Sequence, residues 1–260
     1  MTRARRIRAT AVAGWHSFLR RRTAVFFTFL FPALIVLIFG ALVETSGTGG
    51  GLFAEPPSWY VAGYLGVVVL FTPLSRLGAE VARTRDGNRF EKLATTPLTR
   101  AEWLVAQLLV NVVVIGLAAI LVLGLLVALT GAQIALGPAT LLVVPFVVLG
   151  VALFCGVGAI LGSLADSQDG AVAASNTIAI PLLFLSEAFV PLSMLPDWLP
   201  TWLSPLTYFS RGVRAVTYDG GSGTALATWN APDPWVNLAV LAVAAVLFLA
   251  IGARTLPVTD

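Results

Sequence analysis

From Trp103 to Leu129 the chain runs without a single charged residue. A bilayer core about 30 Å thick is crossed by roughly 20 mostly apolar residues in a helix. Inside lipid every backbone N–H and C=O must find its partner within the segment, so a run of this kind folds as a helix. The same ruler gives six spans, at about 24–43, 59–78, 103–129, 139–163, 171–190 and 235–253. The pair 139–163 and 171–190 is divided by SLADSQDG at 163–170, where two carboxylates and a glycine suit a surface turn and not the middle of a bilayer. With 58% hydrophobic and 11% charged residues and a mean hydropathy of +0.90, the 260 residues read as one all-α integral membrane domain.

Composition also removes several kinds of chemistry. The single Cys155 lies in an apolar run and reads as a small buried hydrophobe, with no disulfide or cysteine cage open to it. The single His16 has no second histidine for a metal site or dyad, and no H-E-x-x-H or G-x-S-x-G string occurs. The chain therefore reads as no enzyme, with no metal and no directly bound cofactor. Although RRRTAVFF at 20–27 is faintly like a twin-arginine signal, the run after it has the length of a span, so a retained first span is expected.

Lysine and arginine near span ends mark the cytoplasmic side. Seven arginines precede the first span, and Arg76, Arg83, Arg85, Arg89, Lys92 and Arg100 flank or occupy the second connection. Only Arg211 and Arg214 fall outside if both termini are cytoplasmic. The net charge of +3 follows from this bias and implies no nucleic-acid partner. Within residues 1–22, Ile7, Ala11, Trp15 and Phe18 recur at helical spacing among arginines, the pattern of an amphipathic helix on an anionic leaflet with Trp15 as its interfacial anchor.

The charged stretch RTRDGNRFEKLATTPLTRAEW at 83–103 holds the chain's only lysine. Asp86-Gly87-Asn88 predicts a turn, Thr96-Pro97 a second break, and Thr99 with Glu102 a capping box for the third span, with Leu98 and Trp103 as its hydrophobic staple. Between the breaks Arg89 to Ala94 fits a short helix that presents an exposed Phe90 and Leu93 beside Glu91 and Lys92, the make-up of a docking knob. On the other side, ETSGTGGGLFAEPPS at 44–58 is a Gly/Pro loop and GAQIALGP at 131–138 a tight turn. In the segment 191–230 Pro191, Pro196, Pro200 and Pro205 forbid one continuous helix, while Trp198, Trp202 and Tyr208 favour the water–lipid boundary. Short interfacial or re-entrant helices are expected there.

Two of these stretches together resemble the permease subunits of the ABC type-2 (ABC-2) transporter family, exporters of drugs, lipids and polysaccharides. FEKLATTPLTRAEWLVAQLL at 90–109 looks like the family's E-x-L-x-x-T-P stretch, and LLFLSEAFVPLSMLPDWLPTWLSPLTYFSRGVR at 182–214 looks like its signature near the fifth span. The resemblance implies that Arg89, Phe90, Glu91, Lys92, Leu93, Thr96 and Pro97, in the loop 83–101, belong to a coupling helix that docks on an ABC ATP-binding subunit. Residues 1–22 would be the connecting helix. Pro191, Pro196, Pro205, Tyr208, Arg211 and Arg214, with Glu187, would form an exofacial gate. The chain departs from the pattern at Asn88 and Glu187, where glycine is frequent, and at Arg211, where an acid often stands.

A P-loop needs the lysine of G-x-x-x-x-G-K-[ST], and the only lysine here sits in F-E-K-L, so ATP is expected on the partner subunit. The family's symmetry implies two permeases, as a homodimer or heterodimer, in the cell membrane. Two further readings stay open. An ion-coupled carrier would need ionisable groups deep in its spans, where Asn111 and Asn176 carry no proton; a non-transporting membrane scaffold fits the composition. Gly158 and Gly162 form a G-x-x-x-G pair suited to close helix contact within or between chains. Glu187, in an apolar segment, is expected to pair with Arg211 or Arg214 or to reach water.

Overall fold

The computed structural model describes residues 2–42, 55–134, 137–218 and 233–256, and the described residues form helices with no strand. In chain order they are α1 (Arg3–Arg20), α2 (Arg22–Ile35, continued as a π-helical stretch Val36–Leu42), α3 (Val61–Asp86), α4 (Arg89–Ala94), α5 (Arg100–Thr130), α6 (Val143–Leu164), α7 (Gln168–Phe184), α8 (Pro205–Thr217) and α9 (Pro234–Thr255). Short 3₁₀ turns at Pro57–Tyr60 and Pro138–Leu142 lead into α3 and α6.

Among the described residues five segments are long and apolar enough to cross a membrane: Arg22–Phe39, Pro57–Asp86, Arg100–Thr130, Pro138–Leu164 and Pro234–Thr255. Of the segment expected as a fifth span at 171–190, the α-helix α7 covers the part up to Phe184. Its 17 residues reach about 25 Å at 1.5 Å per residue, less than a full hydrocarbon core. Past its end the Leu185 N–H bonds to Pro181 O and the Ser186 hydroxyl donates to Leu183 O, closing the last turn. The second span also differs, running eight residues beyond the expected 78 to Asp86. The division at 163–170 stands as expected, with α6 ending at Leu164 and the Ser167 side chain accepting the Gly170 N–H at the start of α7. Gly131 adopts a left-handed backbone after α5, as a tight turn requires. The 44–58 loop and the tail of 191–230 lie largely outside the described residues.

α3 is the centre of the bundle, with nearly every residue from Trp59 to Leu70 buried. It meets α6 through glycine. A Cβ at Gly158 would stand 2.6 Å from Leu74 O, and one at Gly162 would collide with Gly78 O, so this G-x-x-x-G pair is consumed within the chain. A second glycine seam joins α6 to α9, where a Cβ at Gly252 would stand 2.8 Å from Gly156 O. The outer flanks of α2, α5 and α9 carry exposed Phe26, Phe27, Leu117, Ile120, Val243 and Val246, the apolar surface that a bilayer solvates.

Candidate functional site

At one end of the bundle the connection from α3 to α5 is built as a small rigid platform. Gly87 and Asn88 turn the chain, Asn88 in the left-handed conformation (φ 51°) that asparagine tolerates better than most residues. The short helix α4 follows, and its last carbonyls are capped locally: Thr95 Oγ1 donates to Lys92 O at 2.8 Å and Thr96 Oγ1 to Leu93 O at 2.7 Å. Thr99 then accepts the Glu102 N–H while the Glu102 carboxylate accepts the Thr99 N–H, the expected capping box.

The expected exposed aromatic is corrected. Phe90 is buried and packs edge-on against Trp103, ring centroids 5.3 Å apart. A six-residue helix cannot hold itself together by backbone bonds alone, so its one aromatic turns inward as an anchor. Leu93 is half-buried against the same core, whereas Arg89, Glu91, Lys92, Thr96 and Pro97 are exposed. The outward face of α4 is therefore polar.

The arginines around this platform act on helix ends and carboxylates. Arg85 donates to Ser163 O at 3.1 Å and to Ala165 O, taking up carbonyls at the close of α6. Arg100 donates to Leu256 O at 3.0 Å just past α9. Arg6 reaches Glu102 from α1, and this bond raises the Arg6 pKa further above its ordinary value. Arg21 lies 3.7 Å from Glu80, which also pairs with Arg83. Trp15 is half-buried and, with Phe18, packs toward Val110 and Val114 of α5, so the apolar stripe of α1 lies on protein. The tertiary use of Arg6, Arg85 and Arg100 is not legible in sequence; spacing reveals Glu102 as a cap but nothing of its partner across the fold.

The opposite end holds a second cluster. Glu187 lies buried past the end of α7 and accepts from Arg211 of α8, at 2.9 Å for Nε and through Nη2 as well. The pairing raises the Arg211 pKa. Arg214, one turn on, points into the same segment. Its Nη2 donates to Glu187 O at 2.8 Å and to Ala188 O at 3.3 Å, and its guanidinium stacks 3.6 Å above the Trp59 ring. Burial pulls the Arg214 pKa below its ordinary value, while Glu187 and Glu55 hold it up. Nine of the thirteen residues of α8 are buried, so it is a packed element and not a lid lying on the surface. A Cβ at Gly212 would run into the Phe146 ring, which fixes how closely α8 meets α6. Pro205 begins α8 and, like Tyr208, is half-buried; Pro191 is buried and Pro196 exposed. Trp198 and Trp202 project outward, 79% and 67% exposed. Among the described residues no group of three or more His, Cys, Asp or Glu gathers as metal ligands.

The family model of the ABC-2 type transporter matches residues 5–218, which include the α4 platform, the Glu187–Arg211 pair and α8. The chain belongs to this family. As an ABC-2 protein it is a multi-pass membrane permease component of an ABC transporter, a class that works with an ABC ATP-binding partner. A search of curated proteins returned no match to the chain.

Proposed function

We propose that the chain is the permease of an exporter, driven through the 83–101 loop by a separate ATP-binding subunit. The observation that carries this reading is the construction of α4. Its buried side, Phe90 on Trp103, fixes it to the bundle, and its free side offers Arg89, Glu91 and Lys92 to solvent. A rigid base with an unspent polar face suits an element that receives a push from a partner. In this reading α7 serves as the fifth of six spans, its crossing completed by irregular backbone at 185–190 that is buried at Ser186, Glu187 and Ala188, where shielding by protein makes such backbone tolerable. Both termini lie in the cytoplasm and the domain sits in the cell membrane. Two permeases, alike or different, pair with two ATPases and carry a drug-like, lipid or polysaccharide substrate. α1 is the connecting helix, clamped beside the coupling loop by Arg6 and Glu102. The α8 cluster of Glu187, Arg211 and Arg214 is the outer gate. ATP binds only to the partner.

The test is reconstitution of the full chain with its ATP-binding subunit in proteoliposomes. Glu91→Ala combined with Lys92→Ala abolishes permease-stimulated ATP hydrolysis while membrane insertion and helix content stay unchanged. Stimulation equal to that of the unaltered chain would remove α4 as the coupling element.

A further inference from the structure

Arg85 stands in the last turn of α3, four residues ahead of Arg89, where α4 begins. Its guanidinium reaches across to the end of α6. Nη1 donates to Ser163 O at 3.1 Å and Nη2 to Ala165 O, the carbonyls on either side of Leu164. Nε and Nη2 also bond Asp86 Oδ1, at 3.3 and 3.1 Å, which narrows the rotamers open to Arg85 and holds its fork toward α6. Ala165 has extended backbone (φ −72°, ψ 143°) after α6, and two residues on Ser167 caps α7 by accepting the Gly170 N–H at 3.0 Å. Arg85 therefore grips the turn between α6 and α7, and with it the start of α7.

Between its ends α7 is lightly held. Along its 17 residues only Ala171, Ser175 and Ala179 are buried, one stripe at four-residue spacing. They face the glycine side of α3, where a Cβ at Gly78 would stand 3.3 Å from Ser175 Oγ and 3.8 Å from Ala171 Cβ. Side chains this small bring two helices close and interlock little, so such a seam resists separation more than sliding. At the far end the helix is tied again. Ser204 Oγ donates to Leu182 O at 2.8 Å, and Glu187, three residues past Phe184, is paired with Arg211. A rod of about 25 Å with a smooth seam thus carries polar fastenings at its two ends, one on the α4 platform and one on α8.

We propose that Arg85 is the positioning residue that passes a displacement of α4 to α7, and that α7, sliding along α3, delivers it to the Glu187–Arg211 pair. This rests on α4 being the coupling element. Arg85 suits the task because both of its long-range bonds end on backbone. A displacement of the turn between α3 and α4 moves the 163–165 backbone directly, with no side chain of the receiving segment to swing first. Lysine would keep the charge but bring a single ammonium where two separated carbonyls ask for a fork. If Arg85 served only to close α6, its loss would loosen the end of that helix and leave movements elsewhere unchanged.

The test is hydrogen exchange on the full chain with its ATP-binding subunit in nanodiscs, comparing ADP with ATP plus orthovanadate. In the unaltered complex exchange should change with nucleotide at 89–94, at 165–170 and at 185–190, where the Leu185 and Ser186 N–H groups close the last turn of α7. In Arg85→Gln the difference at 89–94 should persist while those at 165–170 and 185–190 are lost, and Arg85→Lys should retain part of them. A nucleotide-dependent difference at 185–190 that survives in Arg85→Gln would overturn the proposal, even with faster exchange near 163 in both nucleotide states, since that is the pattern of a helix cap. An unaltered complex that responds at 89–94 and stays silent at 165–170 and 185–190 would overturn it equally, and this arm needs no variant to fold. Silence at 89–94 in the unaltered complex would instead remove α4 as the coupling element, and this inference with it.

Discussion

Arg6 Nε donates to Glu102 Oε2 at 3.0 Å, and that same oxygen accepts the Thr99 backbone N–H at 3.1 Å. One carboxylate thus closes the first turn of α5 and holds α1 against it. Glutamine can replace glutamate in a capping box but cannot replace its charge. Glu102→Gln and Arg6→Ala should therefore free α1, seen as faster hydrogen exchange across residues 3–20, with the start of α5 still protected. Glu102→Ala should loosen both. Protected α1 amides in all three variants would break the link.

Phe90 and its neighbours should separate cleanly in mutagenesis. Phe90→Ala removes a buried ring and should destabilise the domain by about 3 kcal/mol, the low end for such truncations, because α4 lies at the edge of the core. Glu91→Ala and Lys92→Ala touch an exposed face and should stay within about 0.5 kcal/mol of the unaltered chain. Denaturant unfolding in mixed micelles measures the difference.

The Glu187–Arg211 pair is buried at the carboxylate and partly wet at the guanidinium, whose side chain is 26% exposed. Glu187→Gln should cost about 3 kcal/mol, since it leaves a charged partner without compensation. A cycle with Arg211→Gln should show a coupling of more than about 1 kcal/mol, whereas additivity would reduce the contact to coincidence. If the pair also latches the outer gate, Glu187→Gln raises basal ATPase activity in the reconstituted complex.

Two helix-interior glycines should respond in opposite ways to the same methyl group. Gly162→Ala drives a Cβ into Gly78 O and should destabilise by about 1–3 kcal/mol. Gly116→Ala meets nothing within 4 Å and should stabilise by about 0.5–1 kcal/mol through helix propensity alone. Unfolding midpoints for the two variants, measured side by side, settle it.

Orientation is checked with single cysteines in a Cys155→Ser background, where the native thiol is fully buried. Asn88→Cys should react with an impermeant reagent only from the cytoplasmic side and Trp198→Cys only from outside. The reverse pattern would invert the layout.

Sequence made the helices legible because the governing terms are local or one-dimensional. Apolar length marks α5, Thr99 and Glu102 mark its start, and Asn88 marks the turn before α4. The side chains that join elements were less legible. Nothing in the spacing of R-F-E-K-L says that Phe90 turns inward, because a six-residue helix has no stripe long enough to orient it, and Trp103 across the break decides. The end of α7 was not legible because Glu187 and Pro191 follow an apolar run without a polar signal at Phe184. Composition gathers Arg85 and Arg100 into one connection, yet their carbonyl partners lie 78 to 156 residues away in sequence. The Glu187–Arg211 pairing could be anticipated because an isolated buried acid narrows the choice to the two cations in reach.

The inward turn of Phe90 decides what a partner docking on α4 would meet. With the aromatic spent on Trp103, anything that docks on α4 finds ions and hydroxyls where a greasy anchor would otherwise have been. Such an attachment forms quickly, through electrostatic steering, and weakens as added salt shortens the screening length from about 8 Å at 0.15 M to about 3 Å at 1 M. A complex gripped in this way would survive a dilute buffer and shed its motor in a concentrated one.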